Sequence, residues 1–370
     1  MSKIGIVTFF QSYNYGVWLQ AYATQKYLEK NGFSVEIVNY TNRHDDEKLR
    51  YSYKEGNNIK GYFTSFIKSI LFGKVRYYNK GFKKYLSKFY NLSKEHFSDV
   101  KDMKNVEYDC LIAGSDQIWN PEITSGRLDK GFLLQFGNAK KRISYASSIG
   151  SNRVRNEDKK LFERAFKNFN AISVRETFAA EELKEVTNKI IKVVCDPTFL
   201  LRKEDWLEFA ALYSTITVSN NEKYILTYFI SPDKYTDRYI NLVKAYSNKF
   251  GLSIWAIQFS SYYKGGCNKK ILGASIADFI KLMNNAEIVI TDSFHGVALS
   301  LNLNKNFVAI ENQGNPMRTR NLLKQLGISD RIDMKEEDYT EIDYEKVCVK
   351  IENMREDSTQ WLLNAINEPF

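Results

Sequence analysis

A chain of 370 residues, 44% hydrophobic and 14% aromatic with only 5 Pro and 19 Gly, can fill two cores of ordinary size, which excludes a disordered protein. Its net charge of +9 has one source: nine Lys and Arg stand between Gly56 and Lys94 with no acidic residue, and without them 44 basic side chains balance 44 acidic ones. General nucleic-acid binding thus loses its electrostatic basis, and with no run near the roughly 20 apolar residues of a membrane span the chain is expected to be cytoplasmic.

The predicted elements alternate. "KIGIVTF", "FSVEIVNY", "YDCLIAG", "RISYASS", "AISV" and "KVVCDP" are β-rich runs in the first 200 residues, each followed by a helical pattern. After Trp206 come "KYILTYFI", "LSIWAIQ", "AEIVIT" and "NFVAIE". Near-continuous apolar strands alternating with helices indicate parallel sheets covered on both faces, hence an α/β fold of two Rossmann-like domains. Asp196-Pro197 closes one strand and a helix begins around Lys203 to Trp206, which puts the domains at 1–204 and 205–345. Val347, Ile351, Met354, Trp361, Leu362 and Ile366 follow at roughly helical spacing, predicting closing helices over 346–370 that pack on the rest of the chain. Cys110, Cys195, Cys267 and Cys348 are widely spaced and form no CxxC, as suits reduced thiols.

In open α/β sheets ligands collect where strands end and helices begin, and four stretches meet that condition. "YNYGVWLQAYA" follows the first strand: Gly16 permits a tight turn, Asn14 can cap, and Asn14, Tyr15 and Gly16 would form a cleft loop, unless this is a plain strand-to-helix turn. "CLIAGSDQIWNP" puts Ser115 and Asp116 at a strand's carboxyl end, where Asp116 either caps the next turn or accepts a proton from a hydroxyl. "SVRETFAAEEL" sets Arg175 at a helix start, free to clamp an anion or to pair with Glu176, Glu181 or Glu182. "EIVITDSFHGVALS" carries His295, one of three histidines, in the first turn of a helix that Asp292 or Ser293 can cap, where Gly296 lets the backbone come close. A histidine there suits proton transfer, although a purely structural role also fits. Arg318 and Arg320, in "NPMRTRNLLKQLG", sit at one more helix start and suit either an anion or the surface.

No GxGxxG, Walker loop, GxSxG elbow or metal-ligand cluster occurs. Taken together and in order, however, "NYGVWLQAYA", "GSDQIWNP", "YASSIG", "SVRE", "DPTFLL" and "TDSFHG" followed by "MRTRNLLKQLG" resemble the polysaccharide pyruvyl transferase family from about residue 3 to about 331. The resemblance implies a GT-B-like pair of Rossmann domains with the active site in the interdomain cleft. It further implies transfer of the pyruvyl group of phosphoenolpyruvate (PEP), a co-substrate, onto a sugar as a cyclic ketal with release of phosphate. No tightly bound cofactor and no metal are implied. The acceptor would be a surface-polysaccharide precursor, as for capsule or exopolysaccharide, commonly lipid-linked. Residue by residue, the family's histidine falls on His295, its first-domain arginine on Arg175 and its GSD aspartate on Asp116. Some branches carry Arg two positions before the histidine, where this chain has Ser293, so one anion contact is left for Arg318 or Arg320 to supply. The expected roles are His295 and Asp116 in proton transfer and Arg175, Ser293, Arg318 and Arg320 around PEP. A sugar-nucleotide glycosyltransferase of the same architecture and a non-catalytic carbohydrate-binding protein are the alternatives.

The basic segment 56–94 interleaves its lysines with ten aromatics from Tyr62 to Tyr90. Such a face suits peripheral contact with the inner face of an anionic membrane; a helical hairpin with solvated lysines is the other reading.

Overall fold

The computed structural model describes residues 2–12, 14–42, 86, 88–124, 126–150, 153–219, 221–231, 236–258, 266–312, 314 and 316–368. Most of the basic segment, and with it the expected membrane-facing surface, lies outside the described residues.

Strand β1 (Lys3–Val7) leads into helix α1 (Tyr15–Lys30), β2 (Ser34–Ile37), β3 (Glu107–Ala113) and β4 (Asn138–Ser144). These strands form a parallel sheet in the order β2-β1-β3-β4. Helix α2 (Asn156–Phe166), β5 (Ile172–Val174), α3 (Thr177–Leu183) and β6 (Ile191–Val193) follow. Parallel bridges from Ile143 to Ala171 and from Ser147 to Val174 carry the sheet on into the β5-β6 pair. After α4 (Lys203–Tyr213) the second half begins: β7 (Tyr224–Tyr228), α5 (Asp237–Phe250), β8 (Ser253–Gln258), β9 (Lys269–Leu272), α6 (Ile276–Asn285), β10 (Ile288–Thr291), α7 (Phe294–Asn302), β11 (Phe307–Ala309) and α8 (Met317–Leu326). Its sheet is also parallel throughout, in the order β11-β10-β7-β8-β9. The fold is therefore α/β with two Rossmann-like halves in a GT-B-like arrangement. The apolar runs of the sequence mark its central strands, since every residue of β7 and β10 is buried. Strand β9, "KKIL", has no such run and sits at the sheet's edge with two exposed lysines.

The halves share a core. One cluster of buried side chains runs from Ile4 and Trp18 through Trp206 and Tyr224 to Leu301, Leu323 and Leu362. Helix α1 is its centre: Tyr15 stacks on Phe279 with ring centroids 4.4 Å apart, and its hydroxyl donates to the carbonyl of Ala274 at 2.7 Å. The closing segment is one helix, α9 (Tyr344–Asn367), which returns to the first half. There Ser358 Oγ accepts from the backbone N–H of Cys195, and Lys141 donates to the carbonyl of Ile366. Arg355 ties the same helix to both sides, donating to the carbonyl of Phe199 and to Asn302. No helix among the described residues is long and apolar enough to cross a membrane.

Candidate active site

The carboxyl ends of β1, β3, β7 and β10 converge on a cleft between the halves. A cavity of about 310 Å³ opens there, lined from the first half by Gln11, Ser12, Asn14, Val17, Asp116 and Gln117 among others, and from the second by Ile230, Ser293, Phe294, His295 and Arg318. Its size falls at the lower end of the roughly 300–1,000 Å³ typical of small-molecule sites.

His295 reaches the cleft because β10 hands over to α7 without slack. Ser293 caps α7, its hydroxyl accepting from the N–H of Gly296, while Thr291 donates to the carbonyl of Tyr228. A Cβ on Gly296 would stand 2.5 Å from Thr291 Oγ1, so only glycine lets the helix start this close to its strand. Asp292 does not cap; its carboxylate accepts from the backbone N–H groups of Ile230 and Ser231 and from Tyr239, fixing the loop after β7. Ser293 thus caps α7 while lining the cavity.

Across the cleft, helix α1 begins at Tyr15, so Gly16 is helical and not in a turn as expected. Its role is to make room: a Cβ there would lie 2.0 Å from His295 Nδ1. Asn14 caps α1 through Gly16 N–H and accepts from Tyr228 of the other half at 3.0 Å. Tyr15 is not a cleft-loop contact, because its ring is fully buried between Phe279 and Tyr228.

Arg175 is 8% exposed and held by two carboxylates, its Nε donating to Glu176 at 2.9 Å and its Nη1 to Asp196 at 2.8 Å, while its Nη2 has no partner. Burial pulls this guanidinium's pKa down, but Glu176, Asp196 and Asp116 outweigh it and hold the pKa above its ordinary value. The same group lies 4.7 Å from the centroid of the Phe294 ring, and Arg318 approaches that ring at 5.9 Å. Arg318 is half-buried with its Nε sealed and unpartnered; burial and then the neighbouring Arg175 lower its pKa. An anion near both arginines would relieve that repulsion. Arg320 is different: it is exposed, pairs bidentately with Glu311 and lines neither cavity described here, so the clamp expected of it is not seen.

Asp116 has a left-handed backbone (φ 68°), uncommon outside glycine though tolerated by Asp, and its carboxylate makes no hydrogen bond or ion pair among the described residues. It therefore does not cap; it faces the cavity. The Ser115 hydroxyl is buried and unpartnered beneath it.

Asp196, the first residue of "DPTFLL", has no role assignable from the sequence beyond closing a strand. It is 2% exposed, its Oδ1 accepts from the N–H and hydroxyl of Thr198, and its Oδ2 lies 3.4 Å from His295 Nε2. Burial opposes its ionisation, but His295 and Arg175 more than compensate and hold it well below the usual carboxylate range. Behind Phe294 and Arg318 a second cavity of about 680 Å³ runs to α9. Cys195 lines it, with its thiol pushed by burial up to about 11, out of reach of nucleophilic chemistry.

A two-Rossmann protein whose halves meet around an imidazole, a carboxylate and incompletely paired guanidinium groups is an α/β protein with an interdomain cleft of a chemistry suited to anions. The sequence matches the profile of the polysaccharide pyruvyl transferase family over residues 14–314, and the chain belongs to that family. No curated protein matches the chain. Among solved structures it is similar to UDP-GlcNAc 2-epimerase from Methanocaldococcus jannaschii (12% identity, 95% of this chain and 92% of that one, TM-score 0.45). It is likewise similar to the UDP-GlcNAc 2-epimerase from Neisseria meningitidis bound to UDP-GlcNAc (11% identity, all of both chains, TM-score 0.47).

Proposed function

We propose that this member of the family transfers the pyruvyl group of PEP to two hydroxyls of one sugar in a surface-polysaccharide precursor. The product is a cyclic ketal and the leaving group is phosphate. The observation that carries this reading is the convergence of His295, Asp116 and Arg318 on one cavity, with Arg175 directly behind Phe294.

PEP brings a carboxylate and a phosphate; Arg318 lines the cavity to meet them, and Arg175, behind Phe294, adds positive charge from the second cavity that it lines with Arg318. His295 as imidazolium protonates the methylene carbon, the π electrons forming the new C–H bond and leaving C2 electron-poor. A sugar hydroxyl then adds to C2, and its proton passes to the now neutral imidazole, with Asp116 orienting the hydroxyl. The C2–O bond to phosphate breaks with its electron pair, and the second hydroxyl closes the ring. Of the two hydroxyl protons, one ends on the methyl group and one on the released phosphate. Fixed guanidinium groups serve this sequence because charge moves from C2 onto the leaving oxygen.

The acceptor in this reading is carried on a lipid and met at the inner face of the membrane. The test is phosphate release from PEP, offered galactosyl, glucosyl and mannosyl acceptors on lipid-like carriers. Release is expected to depend on acceptor and to fall by about 10² to 10⁴ in His295→Ala, the range for a positioned acid/base. Near-normal turnover in that variant, or sugar-nucleotide consumption in place of PEP, would overturn the reading.

A further inference from the structure

The two nitrogens of the His295 ring are not equivalent. Nε2 is sealed from solvent and faces Asp196 Oδ2 at 3.4 Å, within ion-pair reach although it lacks hydrogen-bond alignment. Nδ1 faces Gly16, where no side chain intervenes; it makes no hydrogen bond among the described residues, and it is not among the sealed atoms. The carboxylate opposite Nε2 is rigid. Thr198 holds Oδ1 through two hydrogen bonds and Arg175 holds Oδ2 through one at 2.8 Å, at the start of the 3-10 turn Pro197–Phe199.

A fixed carboxylate beside one imidazole nitrogen favours the proton there and leaves the lone pair on the other. We infer that Asp196 is the positioning residue of the acid/base step: it keeps a proton on Nε2 throughout, so that Nδ1, over Gly16, is the atom that exchanges protons with substrate. In the protonation step the Nδ1–H bond breaks and its proton joins the methylene carbon. In the addition step the Nδ1 lone pair takes the hydroxyl proton, and Nε2–H is unchanged in both. Because the same carboxylate also holds Arg175, imidazole and anion clamp share one frame. This inference rests on the reading of His295 as acid/base.

Two measurements separate the two claims. Nitrogen-15 NMR of the imidazole rings is tractable because the chain has three histidines, and His295→Gln identifies the signals of His295. In the full-length wild type, neutral His295 is expected as the Nε2–H tautomer; an Nδ1–H tautomer overturns the inference whatever the kinetics. In Asp196→Asn, the two Thr198 donors keep the amide oxygen at the Oδ1 position, so an N–H replaces the oxygen that faced Nε2 and Arg175, the Arg175 bond is lost, and the tautomer is expected to invert. Turnover is then expected to fall on the order of 10³-fold or more, as in triads where the same exchange traps the wrong tautomer. A variant that keeps the wild-type tautomer, or turns over within about threefold of wild type, refutes the role given to Asp196. If Asp196→Asn does not fold, the wild-type spectrum alone decides. If His295→Ala stays active while the wild-type ring is Nε2–H, the catalytic reading fails and the geometry stands.

Discussion

At the scale of single residues the site is arranged by what is absent as much as by what is present. Gly16 would ordinarily be an unfavourable residue inside a helix, by about 0.5–1 kcal/mol relative to Ala. Here a methyl group would meet the His295 ring at 2.0 Å, so Gly16→Ala must displace the imidazole. A misplacement of about 1 Å can cost about 10²-fold in rate. We expect Gly16→Ala to lose about that much turnover while keeping its helical circular dichroism; unchanged turnover would mean that the ring has room to move. His295 and Asp116 were legible in the sequence because each follows a β-rich run directly. Asp196 was not, because its partner His295 lies far along the chain and an Asp-Pro pair reads equally well as a strand end. Arg318 and Arg320 show a finer limit. Two residues apart they point about 200° from each other on a helix, so one faces the cleft and the other faces solvent. The clue was present: Leu322 and Leu326, buried on α8, continue the face of Arg318, whereas Lys324 continues that of Arg320.

At the scale of elements, α6 shows how the second half is pinned to the segment leading out of the first. Ser275 and Asp278 form a reciprocal capping box, and the same Asp278 carboxylate accepts from the hydroxyl of Ser214 and the backbone N–H groups of Thr215 and Ile216, just past α4. Burial raises its pKa, but these donors outweigh burial and the pKa is lowered overall. A carboxylate with a depressed folded-state pKa contributes its full stability above its unfolded value, near 3.9, and loses it as pH falls through the folded value. Asp278→Asn is therefore expected to unfold more easily at pH 7, by about 1–3 kcal/mol. That gap should narrow as pH falls below about 4, where the unfolded chain takes up the proton before the folded carboxylate does. Urea titrations at pH 7 and pH 3 check it, and a gap of equal size at both would remove the charge from the explanation. The strand-helix alternation was readable because central strands are apolar throughout. Strand β9 was not, since an edge strand bearing Lys269 and Lys270 carries no apolar run.

At the scale of the molecule, the continuous core through α1 sets how far the halves can separate. Domains joined by a small polar interface move freely by default, but a large apolar one opposes opening. Here Tyr15, Trp18, Trp206 and Phe279 belong to one buried cluster. Small-angle scattering is thus expected to show the same radius of gyration with and without PEP. A contraction on adding PEP would indicate a hinge that this packing opposes. The two-domain reading of the sequence found the sheets but not their fusion, since periodicity reports which face of an element is apolar and not which neighbour covers it.

Helix α9 gives this fusion a consequence in time. It grips the first half at Cys195 and Phe199 and the second at Asn302, and it is made after every other helix and strand described here. Asp116 and Arg175 emerge from the ribosome well before His295, and α9 emerges after that. A nascent chain thus carries one wall of the cleft, then two, and after both the strap that ties them together.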